Sequence, residues 1–447
     1  MASTGVGRSC GRRLPALAVA AAMLALLSAS CGDDDGDGRA DGGASSASGA
    51  TQTDRAKLGD QRTGTDVDDY LEYVGGSAGA ADKRLSPIAI GWVNQQGGPN
   101  DVGPGATKGA ELAVKYVNEQ LGGVDGHPIE LHTCFTSTAE EQGQTCGQKL
   151  ANDSAVQQIA VGAVAVGAQP LIATIAGEKP MSYAVALGPA AGANKNGFIL
   201  FGDSIHVLSP QATYARDALH AKTAALVYPE AAGVKDGAIA IAEGLKRAGI
   251  ESKVVGYSPT ATDLVGPLTA AGAQSADVII VQADPKGCVN IAKALDGLGV
   301  KAPIVSNPLC LNPEVAKALG DVPKWTYSIA STLATDTSDP AANAFMKVAK
   351  EYGIEKVAAG DVWIPIAFAQ ILTHVKWMNA IGADKITPQA ISEQAKAFKG
   401  PMAYGAPSLQ CGKYSDAPAI CNDQVKFYDY KGKGKMVPAA GWMRPPE

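Results

Sequence analysis

Residues 87–121 constrain this chain most. The run 87–93 is short and apolar, and it passes directly into 94–105, a stretch too rich in Gly and Pro to be helical. Ala110, Ala113, Val114, Val117 and Leu121 then recur at spacings of three and four, which sets them on one helical face, and Gly122-Gly123 ends that helix. Strand, loop and helix in this order form the opening half of a βαβ unit. In an open parallel sheet ligands lie outside the carboxyl ends of the strands, so Trp92, Asn94 and Gln95 are expected on the ligand side.

The pattern repeats along the chain. Strands are expected at 129–133, 158–162, 180–186 and 198–201, with helices at 138–150 and 169–177. The rhythm pauses at 202–209 and restarts with strands at 224–228, 252–255, 278–282 and 303–306, separated by a helix ending at Ala248 and helices at 262–273 and 286–298. This repetition predicts an α/β protein of two Rossmann-like lobes with parallel central sheets. After a strand at 326–331 come a polar crossing at 332–339, helices at 340–352, 361–381 (interrupted by Pro365) and 388–398, and a strand at 424–430. Too few strands remain for a third sheet, so these helices must cover the sheets already made, and the chain passes between lobes more than once.

With 447 residues, 46% hydrophobic and 18% charged, the chain has enough apolar mass for two cores. A net charge of −6 gives no reason to expect nucleic acid as a partner, and 6% aromatic residues make a poor stacking platform for bases.

The N-terminus reads as a signal for export. Arg8, Arg12 and Arg13 precede an apolar run at 14–27, too short to span a bilayer comfortably, and Ser28-Ala29-Ser30 leads into Cys31. Small residues directly before a cysteine resemble a bacterial lipobox, with Leu27 one place earlier than usual. Residues 1–30 are therefore expected to be a lipoprotein signal peptide and Cys31 the lipidated residue, holding the protein at the outer face of the cell membrane. Acyl carbons contribute about 0.8 kcal/mol each when buried. Residues 31–85, acidic and rich in Gly, Ala and Ser, are expected to form a linker that cannot order itself, apart from a short helix near 66–74 docking through Tyr70, Leu71 and Tyr73.

Cysteine usage agrees with export. Beyond Cys10 and Cys31 the chain has Cys134, Cys146, Cys288, Cys310, Cys411 and Cys421. Six cysteines allow fifteen pairings; local closure favours Cys134 with Cys146, Cys288 with Cys310 and Cys411 with Cys421. A metal site would want a C-x-x-C pair or a His cluster, and neither occurs. There is no G-x-x-x-x-G-K-[ST] and no H-E-x-x-H; G-x-S-x-G at 75–79 has no strand before it. No enzymatic activity and no cofactor are expected.

At this point the order of motifs resembles the type I periplasmic solute-binding proteins, in particular the branched-chain amino-acid receptors of ABC importers, over about 86–442. The strand with its Gly-rich loop and helix carries the resemblance, with the turn Asn118-Glu119-Gln120-Leu121-Gly122-Gly123-Val124-Asp125-Gly126, the segment 167–180, and their counterparts at 244–249 and 277–280. The Cys134/Cys146 and Cys411/Cys421 pairs also resemble those of lipoprotein members. The resemblance implies periplasmic binding protein fold type I: lobes 86–204 plus 334–402 and 205–333 plus 403–447, a three-strand hinge with crossings near 202–209, 331–335 and 401–410, closure around a small-molecule ligand, and delivery to an ABC permease with its ATPase. A ligand-sensing receptor without transport uses the same module and is the alternative.

The departures are specific. Amino-acid receptors place hydroxyl side chains after the third and fourth strands to hold the ligand carboxylate. Here those places read 163–168, with Val166 and Gly167, and 183–187, with Tyr183 and Leu187. Asn307 stands where an acid would pair the ligand ammonium. Backbone N–H groups are still able to hold an anion, but an unpaired buried ammonium costs several kcal/mol. The expected ligand is therefore less polar than a standard amino acid. Tyr228, Asp284 and Trp363 are expected at element ends facing the cleft, and His206 at the first crossing; Trp92 suits the core of its strand equally well, and Asp361 suits a helix cap.

Overall fold

The computed structural model describes residues 52–61, 67–97, 104–175, 177–186, 189–231 and 233–447. The expected signal peptide, Cys31 and the first part of the linker lie outside them. Two short helices, α1 (Gln52–Arg55) and α2 (Tyr70–Val74), precede the first sheet. That sheet takes β1 (Ile88–Gln95), β2 (Ile129–Thr136), β3 (Val156–Val161), β4 (Met181–Tyr183) and β5 (Gly197–Ile199), all parallel, in the order β2-β1-β3-β4-β5. Its crossovers are α3 (Pro104–Gln120), α4 (Glu141–Asn152), α5 (Ala168–Ile175) and α6 (Pro189–Gly192). The turn after α3 holds Gly122, Gly123 and Gly126 at φ of +73°, +69° and +86°, a conformation side chains rarely adopt, which accounts for the glycine pattern there.

The second sheet begins after α7 (Pro210–Asp217). Its elements are β6 (Thr223–Pro229), α8 (Val234–Arg247), β7 (Glu251–Tyr257), α9 (Val265–Ala270), β8 (Val278–Val281), α10 (Pro285–Gly297), β9 (Ile304–Ser306), α11 (Pro313–Leu319) and β10 (Thr326–Ile329). The helices α12 (Pro340–Glu351), α13 (Glu355–Gly360), α14 (Trp363–Ile381) and α15 (Pro388–Ala397) return to the first lobe, and β11 (Val425–Tyr430) and β12 (Met436–Met443) close the second sheet. Its order is β12-β11-β10-β9-β8-β6-β7, parallel from β7 to β10 and antiparallel at β11 and β12. The expected α/β architecture of two parallel-dominated sheets is present. The strand β12 was not foreseen: its run of Pro438, Ala439, Ala440 and Gly441 has little strand propensity, and tertiary pairing with β11 overrides it.

The helix α14 is the axis of the first lobe. It is apolar nearly all round, and fourteen of its nineteen residues are buried, Pro365 among them. Pro365 does not interrupt it, because at the third helical position its missing N–H had no partner to lose. On the sheet side α14 carries polar groups: Gln370 Nε2 donates to Ser182 Oγ at 2.8 Å, and the His374 ring lies 2.6 Å from Gln158 Oε1 and 2.5 Å from Ser182 Oγ.

Two expectations need correcting. Part of the linker is ordered: Asp60 forms an antiparallel bridge with Trp442, and Arg55 reaches Asp429 at 3.8 Å. Val67, Tyr70, Tyr73 and Val74 are buried against the first lobe, with α2 capped by Asp69 as its docking role required. A few large apolar residues in a polar stretch suffice to dock it. The third crossing lies after Cys421, since Ile420 bridges Ile199 and residues 417–421 extend the edge of the first sheet. All three favoured disulfides form: Cys134–Cys146, Cys288–Cys310 and Cys411–Cys421.

Candidate functional site

The last residues of β1 lie beside the end of β3, with Val93 opposite Val161, so their side chains meet the loop 162–167 that leads into α5. Asn94 and Gln95 are buried there and serve that loop. Asn94 Oδ1 accepts the N–H of Ala163 at 3.0 Å, and Gln95 Oε1 accepts those of Ala165 and Val166, both at 2.9 Å. The N–H of Gly167 goes to Glu140 Oε2 at 3.0 Å. Glu140 reaches it because α4 packs directly on the loop: a Cβ on Gly143 would stand 1.9 Å from the Gly167 carbonyl oxygen. Four amides of the loop are therefore held by oxygens of this chain. Trp92 is core, with its indole N–H donating to Thr107 Oγ1 at 3.0 Å, and Asn94 Nδ2 donates to the same oxygen.

Between this loop, α5 and α6 lies a cavity of about 530 Å³. Val161, Val164, Leu171 and Tyr183 are its buried walls; Ala165, Ala168, Gln169, Val185 and Ala190 stand toward its mouth with Glu140. Volume and lining are those of a small-molecule pocket. Tyr183 Oη is met by Asn194 Nδ2 at 3.1 Å, and burial holds its phenol well above the ordinary value. Of the expected residues, Val166 and Gly167 shape the loop and Tyr183 lines the cavity; Leu187 lies outside the described residues.

The strand ends of the second sheet carry Tyr228, Asp284 and Asn307. Tyr228 is packed in the core. Asp284 caps α10, its Oδ1 accepting the Gly287 N–H at 2.7 Å, and Asn307 caps the turn 308–311. Asn307 Nδ2 also donates to Gln282 Oε1 at 3.2 Å, which opens a buried relay from Gln282 Nε2 to Gln211 Oε1 (2.9 Å) and from Gln211 Nε2 to Ser328 Oγ (2.8 Å). The Cys288–Cys310 bond ties the first turn of α10 to the turn after Asn307.

A model of the family described as periplasmic binding protein matches residues 87–413, well over half the chain. The chain belongs to the periplasmic binding protein family. Solved structures share the fold: a leucine binding protein from Thermotoga maritima at 18% identity, covering 80% of this chain and 99% of that one, with a TM-score of 0.62; a fatty acid ABC transporter substrate-binding protein from Thermomonospora curvata at 17%, 83%, 95% and 0.61; and an ABC transporter solute binding protein from R. palustris in complex with benzoate at 14%, 81%, 98% and 0.62. A sequence search of curated proteins returns no match.

In this periplasmic binding protein His206 sits at the first crossing, beside Asp203, which bridges Ala186 just past β4. Its Nδ1 lies 2.9 Å from Asp203 Oδ2, and its ring centroid lies 4.1 Å from that of Tyr414. Trp363 is half-buried at the start of α14, where its N–H donates to Asp361 Oδ1 at 2.9 Å, so Asp361 holds the helix end. Sequence reasoning missed Glu140 and Tyr257. Glu140 is an exposed acid at a helix start, and only its contact with Gly167 singles it out. Tyr257 ends β7 beside the expected Tyr228; it is buried, its hydroxyl has no hydrogen-bond partner among the described residues, and burial and the Asp284 carboxylate raise its phenol.

Proposed function

We propose that this periplasmic binding protein is the extracytoplasmic substrate-binding lipoprotein of an ABC importer. It captures a small solute between its lobes by hinge closure and presents the closed form to a membrane permease with its ATPase, while an acylated Cys31 tethers it. The observation that carries this reading is the pair of parallel-dominated sheets, joined by three crossings, with several of the candidate residues at their strand ends. The apolar cavity supports a ligand that is not a standard amino acid. The first lobe is taken as 86–204 plus 334–402 with the segment 403–421 added, and the second as 205–333 plus 422–447.

Calorimetric titration of the purified chain with amino acids and with small apolar solutes tests the reading. One solute is expected to bind and to shrink the radius of gyration in solution scattering; tight binding of leucine or another ordinary amino acid refutes the ligand class. Mass spectrometry of the mature N-terminus tests the tether, which fails if the first residue is unmodified or is not Cys31.

A further inference from the structure

A site that receives a carboxylate needs donors that are free to meet it. In the first lobe the amides of 163–167 belong to the loop that borders the cavity, and this chain has already spent four of the five on Asn94, Gln95 and Glu140. Side-chain oxygens at 2.9 to 3.0 Å accept from these four amides, which are therefore not free to hold an anionic ligand. Ala165, Ala168 and Val185 in the lining carry no hydroxyl, the apolar walls Val161, Val164 and Leu171 offer no charge to pair with, and the polar side chains Gln169 and Tyr183 are neutral. One acidic side chain stands at the mouth, Glu140, and it offers an anion no counter-charge.

Resting on the solute-binding reading above, we infer that the ligand places an uncharged, apolar end in the first-lobe cavity, and that its class is neutral molecules such as alcohols or primary amides of a small aromatic or medium-chain skeleton rather than carboxylates. Moving a carboxylate from water into this cavity removes its hydration, and the lining returns no cation, only the neutral Gln169 amide and Tyr183 hydroxyl beside the Glu140 carboxyl group. A hydroxyl or amide keeps one polar contact, with Gln169 or Glu140 at the mouth accepting from it, while its body fills the apolar walls. A volume of about 530 Å³ accommodates a body of this size.

The test uses matched skeletons on the full chain: benzyl alcohol, benzamide and benzoate, and 1-octanol, octanamide and octanoate, each titrated calorimetrically. A neutral member of at least one series is expected to bind at least tenfold more tightly than its carboxylate. Ala168→Leu, which puts bulk at the cavity mouth, is expected to abolish that binding while leaving the melting temperature of the free protein within a few degrees. Glu140→Gln keeps an acceptor for the Gly167 N–H and is expected to narrow the gap between neutral and anionic ligands. Carboxylates that match or exceed their neutral partners overturn the inference and leave the solute-binding function standing, as does neutral binding untouched by Ala168→Leu. Silence of the whole panel and of the amino acids overturns both.

Discussion

Lys426 Nζ lies 3.0 Å from Oδ2 of Asp339, the residue that caps α12 at the end of the second crossing. The same ammonium lies 3.0 Å from Asp336 Oδ2, and all three side chains are buried. Thr332 Oγ1 donates to Asp339 at 2.7 Å, and Tyr428 Oη to Asp336 at 3.1 Å. A strand of the second sheet is thereby fastened to the chain that leaves for the first lobe. Burial raises the Asp336 carboxyl, but the Lys426 charge and the hydrogen bonds from Ser338, Lys426 and Tyr428 outweigh it and hold the group below the ordinary carboxylate range.

Lys426→Met strands two carboxylates in a buried place and is expected to cost about 3–5 kcal/mol in urea unfolding at neutral pH. Because Asp336 has a depressed value in the folded state, its contribution is complete above the unfolded carboxylate value and is lost as pH falls through the folded one. The gap between wild type and variant is therefore expected to shrink below about pH 4. A gap that grows in acid contradicts the assignment.

His374 gives the opposite kind of group, a base kept neutral. Burial lowers it to about 3, between Gln158 and Ser182. The unfolded chain takes up a proton near pH 6.5 that the folded one refuses until about pH 3, so stability falls as pH drops through that window, by about 1.4 kcal/mol per unit at most. His374→Gln is expected to be less stable at pH 7 and to lose close to one proton from the pH slope. Unfolding free energies at pH 7, 6, 5 and 4 measure this.

The Cys288–Cys310 bond closes a separation of 22 residues and fixes the two turns that carry Asp284 and Asn307. The double substitution Cys288→Ala, Cys310→Ala is expected to cost about 3 kcal/mol on the chain-entropy account. Both sulfurs are buried, so mild reductant is expected to leave the folded bond intact. Scanning calorimetry with thiol counting checks both statements; ready reduction of the native protein contradicts the second.

Gln95→Ala removes the acceptor from two buried-loop amides, and Asn94→Ala from a third. Each is expected to destabilise the protein by about 1–3 kcal/mol and to weaken ligand binding through the loop. The sequence alone suggested direct ligand contact, for which affinity would fall with stability unchanged. Measuring melting temperature and affinity on the same variants separates the two roles.

How far the sequence reached depended on whether a feature is local. The alternation of strands and helices, the disulfide pairings over short separations and the docking of α2 were legible because each rests on neighbouring residues. The strand β12 was not, since its residues are poor strand formers until β11 pairs with them. The third crossing was misplaced because a single bridge between Ile199 and Ile420, far apart in sequence, keeps the chain on the first sheet.

The candidate site divides the same way, and the amides of 163–167 show it best. The sequence by itself determined that this loop lacks hydroxyls, because side-chain chemistry is written residue by residue. Only the tertiary structure decided that the loop's own N–H groups are occupied, by Asn94 and Gln95 from about seventy residues away and by Glu140 from 27. A backbone amide looks the same in every sequence, and what it binds is fixed by the oxygen that packing brings within 3 Å of it.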